Sequence, residues 1–253
     1  MKLSVRHLLR GNASWPATAA AGVVMLAALV LLAALTWRWV AGGTVRAVHV
    51  SGHAVLSADS VRTLANVQIG QPLRTVEPER TAARLTEHPW IAESAVHTRP
   101  FRNRVDIKLQ ERTPYGRWVA PRGAPRFFLD AQGHALPARS DTTFDVPLVY
   151  DDSVSYHTTD PVVRPATQQM MRALATADTA RALISGFRTD ANHAIDLYVT
   201  HPEGYTITVH MGHTRYANKL QRLEAFHTHV LPYTDGPIRT IDLRFEEQVI
   251  TQP

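Results

Sequence analysis

An apolar stretch near the start of the chain differs from everything that follows it. It runs from Ala17 to Leu35, is interrupted only by Thr18 and contains no charged residue. As a helix it would be roughly 28 Å long, close to the ~30 Å hydrocarbon core of a bilayer. The apolar segment of a cleaved signal peptide is shorter, about 7 to 15 residues. The pattern therefore predicts an uncleaved membrane-spanning helix, with a signal peptide or an alanine-rich core helix as the alternatives.

The next 70 or so residues alternate between strand-like and helix-like patterns. A Val-rich strand covers Val45 to Val50, and Ser57 has the side chain and position of a helix N-cap. A second helix is predicted to begin at Pro78 and to stop before Pro89. Two further strands follow, Ile91 to Thr98 and Val105 to Glu111, with a turn between them. The predicted order is β, α, α, β, β.

The last strand of this unit has the clearest pattern in the chain. Val105, Ile107 and Leu109 alternate with polar residues, so one face is expected to be buried. Trp90 is predicted to fill the core against Leu85 and the second strand, because an aromatic side chain buries a large area. Glu111 and Arg112 should point to opposite faces, one solvated and the other in a local ion pair.

Short strand-like segments dominate the chain after Pro114. They cover 116–119, 126–129, 134–137, 146–150, 183–187, 194–200 and 205–211. Helices are predicted from Arg164 to Asp178 and from Tyr216 to Val230. Three charged residues of the second helix, Lys219, Arg222 and Glu224, are placed on its solvated face.

The closing stretch is predicted to form a strand within Ile238 to Ile250. Alternation places Ile241, Leu243 and Phe245 on one face and leaves Arg244 solvated between them.

Composition and charge exclude several kinds of protein. The chain has no cysteine, so disulfides and thiolate sites are absent. Its charge of +5 is spread without an aromatic-interleaved basic patch, and no nucleic-acid-binding motif is present. Lys2, Arg6 and Arg10 precede the apolar stretch, which favours an N-terminus in the cytoplasm and the large C-terminal part outside it.

No catalytic or metal-binding pattern is visible. The chain lacks G-x-S-x-G, S-x-x-K, H-E-x-x-H and P-loop motifs. His227 and His229 would point about 200° apart on a helix, so they are not expected to share a metal ion. The acidic pairs Asp151-Asp152 and Glu246-Glu247 are predicted to be solvated rather than to act as acid and base. We expect no enzyme activity, no cofactor and no metal.

Several short motifs occur in the order typical of one known family. They are Val48-His49-Val50-Ser51-Gly52, Pro89-Trp90-Ile91, Ala95-Val96, Arg99-Pro100, Glu111-Arg112-Thr113-Pro114 and Ile241-Asp242-Leu243-Arg244-Phe245. On these motifs the chain resembles the FtsQ/DivIB family of bacterial cell-division proteins, with Phe245 where the family has tyrosine. The resemblance implies an α+β fold with a single N-terminal transmembrane helix, a βααββ POTRA domain, and a β-rich domain with two or three helices and a C-terminal edge strand. The expected domains are a cytoplasmic tail (1–16), the membrane helix and interface (17–40), the POTRA domain (44–113) and the β domain (114–253).

The resemblance also implies a function, which is to bind rather than to catalyse. Members of the family act as bitopic scaffolds of the divisome in the inner (cytoplasmic) membrane, binding FtsB and FtsL and helping to control the septal peptidoglycan synthase FtsW/FtsI. In the family, a segment of FtsB adds as a strand to the last strand of the second domain. Carried onto this chain, Thr240 to Ile250 would offer the edge, and the partner-binding residues would be Thr240, Asp242, Arg244, Phe245, Glu247 and Val249. Because alternation leaves Arg244 solvated, it is a better candidate than Phe245 for a direct side-chain contact. The alternatives are a POTRA-bearing chaperone or scaffold of envelope biogenesis that binds extended client segments, and a periplasmic hydrolase.

Overall fold

The computed structural model describes seven ranges of the chain. They are residues 17–119, 127–139, 142–152, 162–201, 203–234, 236–246 and 248–253. The predicted cytoplasmic tail and Glu247 of the predicted binding edge lie outside these ranges.

The first helix, α1, covers the apolar stretch and extends beyond it. It runs from Ala17 to Ala41, so it is about 37 Å long. All side chains from Ala21 to Arg38 are exposed, and this segment is long and apolar enough to cross a membrane. A helix that is apolar on all sides and is not packed against other parts of the protein requires another apolar environment, such as the interior of a membrane. The helix is therefore consistent with membrane anchoring.

The predicted βααββ order is confirmed. The elements are β1 (Ala47–Ser51), α2 (Ala58–Ala65), α3 (Pro78–Thr86), β2 (Ile91–Arg99) and β3 (Arg104–Glu111). The strands form a three-stranded sheet in the order β1-β3-β2. Ser57 caps α2 as expected, since its side chain accepts a hydrogen bond from Ser60 N at 3.1 Å. The alternation in β3 is also as predicted, with Val105, Ile107 and Leu109 buried.

The segment between β1 and α2 is fixed by Glu111 at the end of β3 and by Gly52 within the segment itself. The Glu111 carboxylate accepts hydrogen bonds from three consecutive backbone N–H groups, those of Ala54 (2.9 Å), Val55 (2.6 Å) and Leu56 (2.9 Å). Gly52 has φ +80°, and a Cβ there would lie 2.0 Å from the carbonyl oxygen of Leu109. Only glycine permits this close approach to β3. Glu111 is thus a structural residue rather than a solvated one.

Trp90 and Arg112 make contacts that the sequence did not reveal. Trp90 is buried as predicted, but its indole N–H donates to the carbonyl oxygen of Pro137 at 3.1 Å. The Arg112 Nη1 atom lies 2.8 Å from Asp130 Oδ2 and 3.0 Å from His134 Nδ1. The Asp130 side chain is only 3% exposed. The predicted ion pair is therefore formed by Arg112, and its partner is a buried carboxylate.

The β-rich part is one mixed sheet with helices. Its strands are β4 (Pro114–Trp118), β5 (Phe127–Asp130), β6 (Ala135–Pro137), β7 (Leu148–Tyr150), β8 (Ile184–Thr189), β9 (Ile195–Thr200), β10 (Thr206–Gly212), β11 (Thr240–Asp242) and β12 (Ile250–Gln252). They lie in the order β12-β11-β10-β9-β8-β7-β4-β5-β6. The helices are α4 (Pro165–Ala175), α5 (Asp178–Leu183) and α6 (Tyr216–His229). Helix α4 contacts β4, α5 and α6, and α5 contacts β8. Buried apolar residues of the sheet and the helices form one continuous core.

Asp151 corrects a prediction. It was expected to be solvated beside Asp152, yet it is 2% exposed. Its Oδ2 accepts a hydrogen bond from Thr167 Oγ1 at 2.7 Å, and Thr167 Oγ1 lies 2.6 Å from Thr189 Oγ1. Arg164 Nε is 3.6 Å from Asp151 Oδ1. A buried carboxylate needs such partners, and they come from α4 and β8, far away in sequence.

Candidate partner-binding edge

The C-terminal hairpin forms one edge of the nine-stranded sheet. Strand β11 pairs in parallel with β10, with Thr240 opposite Thr208 and Asp242 opposite His210. Strand β12 then pairs antiparallel with β11, with Ile250 opposite Asp242. All three residues of β12 are exposed. Within the part of the chain that the structure describes, no strand lies beyond β12, so this strand is the sheet edge.

The position of the edge differs from the prediction. A C-terminal edge strand is present, but the expectation that it spans Thr240 to Ile250 is wrong, because the chain reverses between β11 and β12. Thr240 and Asp242 lie in β11, which has a paired strand on each side. Sequence reasoning missed Thr251 and Gln252 as edge residues. The polar stretch before Val249 followed by Val249, Ile250 and Thr251 is the pattern of a turn and a strand.

The other predicted residues lie in the connection between the two strands. Arg244 and Phe245 are exposed, at 58% for the Arg244 side chain and 51% for Phe245, and Val249 is half-buried against the core. Phe245 was expected to share a buried face with Ile241 and Leu243, which are indeed buried. Strand alternation ends at Asp242, so it no longer directs Phe245 inward.

Arg244 is held by the carboxylate two residues before it. Its backbone N–H and its Nε donate to Asp242 Oδ1 at 2.9 and 3.0 Å, and its Nη2 lies 2.5 Å from Asp242 Oδ2. The hydrogen bond from Arg244 lowers the pKa of the Asp242 carboxyl below its ordinary value. The Arg244 stem passes over Gly212, whose φ is +68° and where a Cβ would lie 3.3 Å from Arg244 Cγ. The guanidinium is thus positioned at the surface, with its stem over the end of β10.

Helix α6 fixes the connection through a second arginine. Arg222 Nη1 donates to the carbonyl oxygen of Phe245 at 2.8 Å, and its Nη2 donates to that of Gln248 at 2.6 Å. Arg215, just before α6, forms an ion pair with Glu246. These bonds satisfy carbonyl groups of a segment that has no ladder partner. Arg222 is half-buried, so its predicted place on a solvated face is only partly right.

Lys219 is a clearer correction. It was placed on the solvated face of α6, but it is only 7% exposed. Its Nζ donates to the carbonyl oxygen of Met211 at 2.6 Å. Burial lowers the pKa of this ammonium group, and the nearby charges of Arg222 and Arg215 lower it further. Lys219 therefore ties α6 to the end of β10, directly behind the hairpin.

Three ionisable side chains lie at neighbouring positions on the strands next to the edge strand. Asp196 of β9, His210 of β10 and Asp242 of β11 occupy paired positions, and Ile250 of β12 is paired with Asp242. His210 Nδ1 lies 2.6 Å from Asp196 Oδ1. Among the described residues, no group of three or more His, Cys, Asp or Glu has the geometry to hold a metal ion. What the arrangement offers is an open backbone edge at β12 and a positioned cation in the segment that leads to it.

Comparisons with known proteins agree with one another. The model of the POTRA domain, FtsQ-type, matches residues 43–112, and the model described as FtsQ/DivIB, C-terminal related, matches residues 113–252. A cell division protein FtsQ from Salinibacter ruber is 34% identical over 253 residues, which covers 98% of this chain and 94% of that protein. A cell division protein FtsQ from Rhodothermus marinus is 30% identical over 238 residues, covering 91% of this chain and 84% of the relative. A third, from a Geobacter species, is 25% identical over 214 residues, covering 81% and 74%.

Proposed function

Because the chain belongs to the FtsQ/DivIB family of bacterial cell-division proteins, we propose that it is a non-enzymatic, membrane-anchored scaffold of the divisome. In this proposal α1 spans the inner membrane, the tail 1–16 is cytoplasmic, and the POTRA domain (44–113) and β domain (114–253) are periplasmic at the division site. The basic residues before α1 favour this orientation. Its role is to assemble other proteins rather than to transform a substrate.

The proposed partners are FtsB- and FtsL-like bitopic proteins, and through them the septal synthase FtsW/FtsI. A segment of the FtsB-like protein adds as a strand to β12. The observation that carries this proposal is the exposed edge formed by Ile250, Thr251 and Gln252. Backbone groups on an edge strand pair readily with another chain, which provides affinity, while nearby side chains provide specificity.

The side-chain part of the proposal rests on the segment that precedes β12. Arg244 and Phe245 are exposed in the segment that leads to β12, so they are suited to contact a carboxylate and an apolar residue of the added strand. Glu247 and Val249 belong to the same segment and remain in the proposed binding surface. Thr240 and Asp242 act indirectly, because β12 covers their strand and Asp242 holds Arg244 in place.

Substitution of Thr251 tests the edge. In Thr251→Pro the middle residue of β12 loses its N–H and has a fixed φ, so the edge no longer presents a regular ladder. We expect the affinity for the FtsB-like ectodomain to fall by about tenfold or more, the equivalent of one strong hydrogen bond. The full chain in lipid nanodiscs is titrated with the labelled ectodomain. Thr251→Ala is the matched control, since it removes the same side chain but keeps the N–H, and it should bind like the parent chain.

Two results would contradict the proposal in different ways. If Thr251→Pro binds the ectodomain as tightly as Thr251→Ala, strand addition at β12 is wrong. If the parent chain binds a scrambled version of the added segment as well as the natural one, the surface accepts any extended segment. The second result would favour the chaperone alternative, because a scaffold has to discriminate between partners.

A further inference from the structure

The segment that leaves α1 is held between two loops. Thr44 forms a bridge with Pro72, and Val45 exchanges backbone hydrogen bonds with the same loop, donating to Gln71 O at 2.9 Å and accepting from Gly70 N at 2.7 Å. Arg46 N donates to the carbonyl oxygen of Asn103 at 2.7 Å. The loop 68–72 and the turn 100–103 therefore flank the chain directly after α1. Four residues separate Ala41 from Arg46, so their Cα atoms are at most about 18 Å apart.

Each of these flanking segments exposes a large apolar side chain. Ile69 is 72% exposed and Phe101 is 73% exposed. Phe101 lies in a 3₁₀ turn formed by Pro100–Arg102, which ends at Asn103 with φ 49°. A proline and a left-handed residue restrict this backbone, so the position of Phe101 in the chain is set by the turn. The two loops that carry these side chains flank one segment, so together they form an exposed apolar surface of the kind that marks an interaction site.

The same region is strongly basic. The segments 17–49, 67–77 and 97–106 contain six arginines and two carboxylates, namely Arg38, Arg46, Arg74, Arg99, Arg102, Arg104, Glu77 and Asp106. Asp106 is already engaged by Arg99 at 3.1 Å and by Arg104 at 2.6 Å. Arg46 and Arg102 are exposed and form no ion pair with any of the residues that the structure describes. The other residues after position 16 contain 18 basic and 20 acidic side chains, so the positive bias of the ectodomain is concentrated here.

We propose that Ile69, Phe101, Arg46 and Arg102 form a membrane-contact patch, with which the ectodomain rests on the outer face of the bilayer that holds α1. Ile69 and Phe101 enter the boundary between headgroups and acyl chains, and the two arginines bind lipid phosphates. This inference rests on the proposed insertion of α1. A lipid surface is the occupant because the two loops that carry the patch are bonded to residues 44–46, which follow α1 by a few residues. Exposed apolar side chains beside arginines without an ion pair also match an anionic lipid interface.

The contact would limit how the ectodomain moves on its tether. Gly42 N donates to Arg38 O at 3.1 Å, and Leu73 N donates to Gly43 O at 2.9 Å, so hydrogen bonds join the end of α1 to the residues beside the patch. The two inserted side chains would add two points of contact with the bilayer to the one that α1 provides. The ectodomain would then present its surfaces at a fixed tilt to the membrane without any partner.

The absence of cysteine allows the patch to be probed one position at a time. Single variants Ile69→Cys and Phe101→Cys carry a nitroxide label, with Leu29→Cys in α1 as the membrane reference and Tyr233→Cys as the water reference. Tyr233 is 85% exposed. The full chain is reconstituted at one copy per nanodisc containing phosphatidylglycerol. We expect collision with a water-soluble nickel complex to be at least about threefold lower at positions 69 and 101 than at position 233, as for side chains in the headgroup region.

A charge reversal tests the arginine part. Arg102→Glu should bring the nickel accessibility of the label at position 69 toward that at position 233, and so should a change from phosphatidylglycerol to phosphatidylcholine. Arg172→Glu is the matched control, because Arg172 is an exposed arginine on α4. It should leave the label at position 69 protected.

The reference positions separate the possible failures. If positions 69 and 101 are as accessible as position 233 while position 29 is protected from nickel, the membrane-contact patch is wrong and the anchor stands. If position 29 is also accessible, the proposed anchor itself fails. If positions 69 and 101 become protected only after FtsB- and FtsL-like proteins are added, the patch is a protein interface and the lipid assignment is overturned.

Discussion

Two arginine–aspartate pairs in this protein are alike in geometry and different in surroundings. Arg112 lies 2.8 Å from Asp130, and Arg244 lies 2.5 Å from Asp242. The Arg112 pair has side-chain exposures of 22% and 3%, whereas those of the Arg244 pair are 58% and 13%. In the first pair the carboxylate is fully enclosed. In the second the guanidinium faces solvent.

The difference shows which pair can serve binding. Asp130 also accepts hydrogen bonds from the backbone N–H groups of Gln132 and His134, at 2.9 and 2.8 Å, so its oxygens are fully used inside the fold. Arg244 keeps an exposed face in the segment that leads to the edge strand. Loss of a buried charge partner is costly, while an exposed pair contributes little to stability and can be shared with another protein.

The largest expected effect is on the buried pair. Arg112→Ala leaves Asp130 enclosed without its cation, and we expect the free energy of unfolding to fall by about 3 kcal/mol. Urea unfolding of the full chain in detergent, followed by tryptophan fluorescence, measures the change. The control is Arg62→Ala, whose partner Asp59 has an 89% exposed side chain, and its effect should stay below about 0.5 kcal/mol. Equal losses in the two variants would show that burial does not distinguish these pairs.

The exposed pair should show the opposite balance of effects. Arg244→Gln keeps a polar side chain of similar reach but removes the charge, so we expect unfolding to change by less than about 1 kcal/mol. Affinity for the FtsB-like ectodomain should fall by roughly tenfold if Arg244 meets a partner carboxylate. Titration of nanodisc-embedded protein measures this, with Arg172→Gln as the control. Unchanged affinity together with lower stability would make Arg244 a structural residue, like Arg112.

The smallest expected effect is in the acid range. The hydrogen bond from Arg244 lowers the pKa of Asp242 below 3.8, so the unfolded chain binds this proton more readily than the folded chain. The stabilisation is fully present above about pH 4 and is lost as pH falls through the lower, folded pKa. The thermal midpoints of the parent chain and Arg244→Gln should therefore converge below about pH 4. Above that pH the free energies of unfolding should differ by only a few tenths of a kcal/mol. Parallel curves from pH 3 to pH 7 would show that the pair contributes nothing.

Local patterns in the sequence were enough to predict most elements. The N-cap at Ser57 and the alternation through Val105, Ile107 and Leu109 depend on residues close together in the chain. The amphipathic pattern of α6 also predicted the helix correctly. Its spacing in fact places Lys219 on the inner face with Tyr216 and Leu223. The prediction that Lys219 is solvated rested only on the charge of its side chain. The periodicity was the better guide, because a lysine can be buried when a carbonyl oxygen such as that of Met211 accepts a hydrogen bond from its ammonium group.

The features that the sequence did not reveal depend on distant partners. Asp151 is buried because Thr167 donates to it, and no local pattern connects the two residues. The reversal between β11 and β12 is fixed by Arg222 on α6 and by the hydrogen bond from Leu243 N to His210 O. A continuous run with strand-like residues was therefore interpreted as one strand. The edge strand was predicted at Thr240 to Ile250, whereas the structure has it at Ile250–Gln252.

The parallel pairing of β10 with β11 has a consequence for the order in which the sheet closes. Strands β9 and β10 are joined by a short turn and can meet early, whereas β11 reaches β10 only after the whole of α6 has been placed. Closing a longer loop costs more entropy, so such contacts form late and open first. Strand β12 depends on β11 in turn. The hairpin is therefore expected to detach locally while the centre of the sheet stays intact, and an added strand would hold it closed.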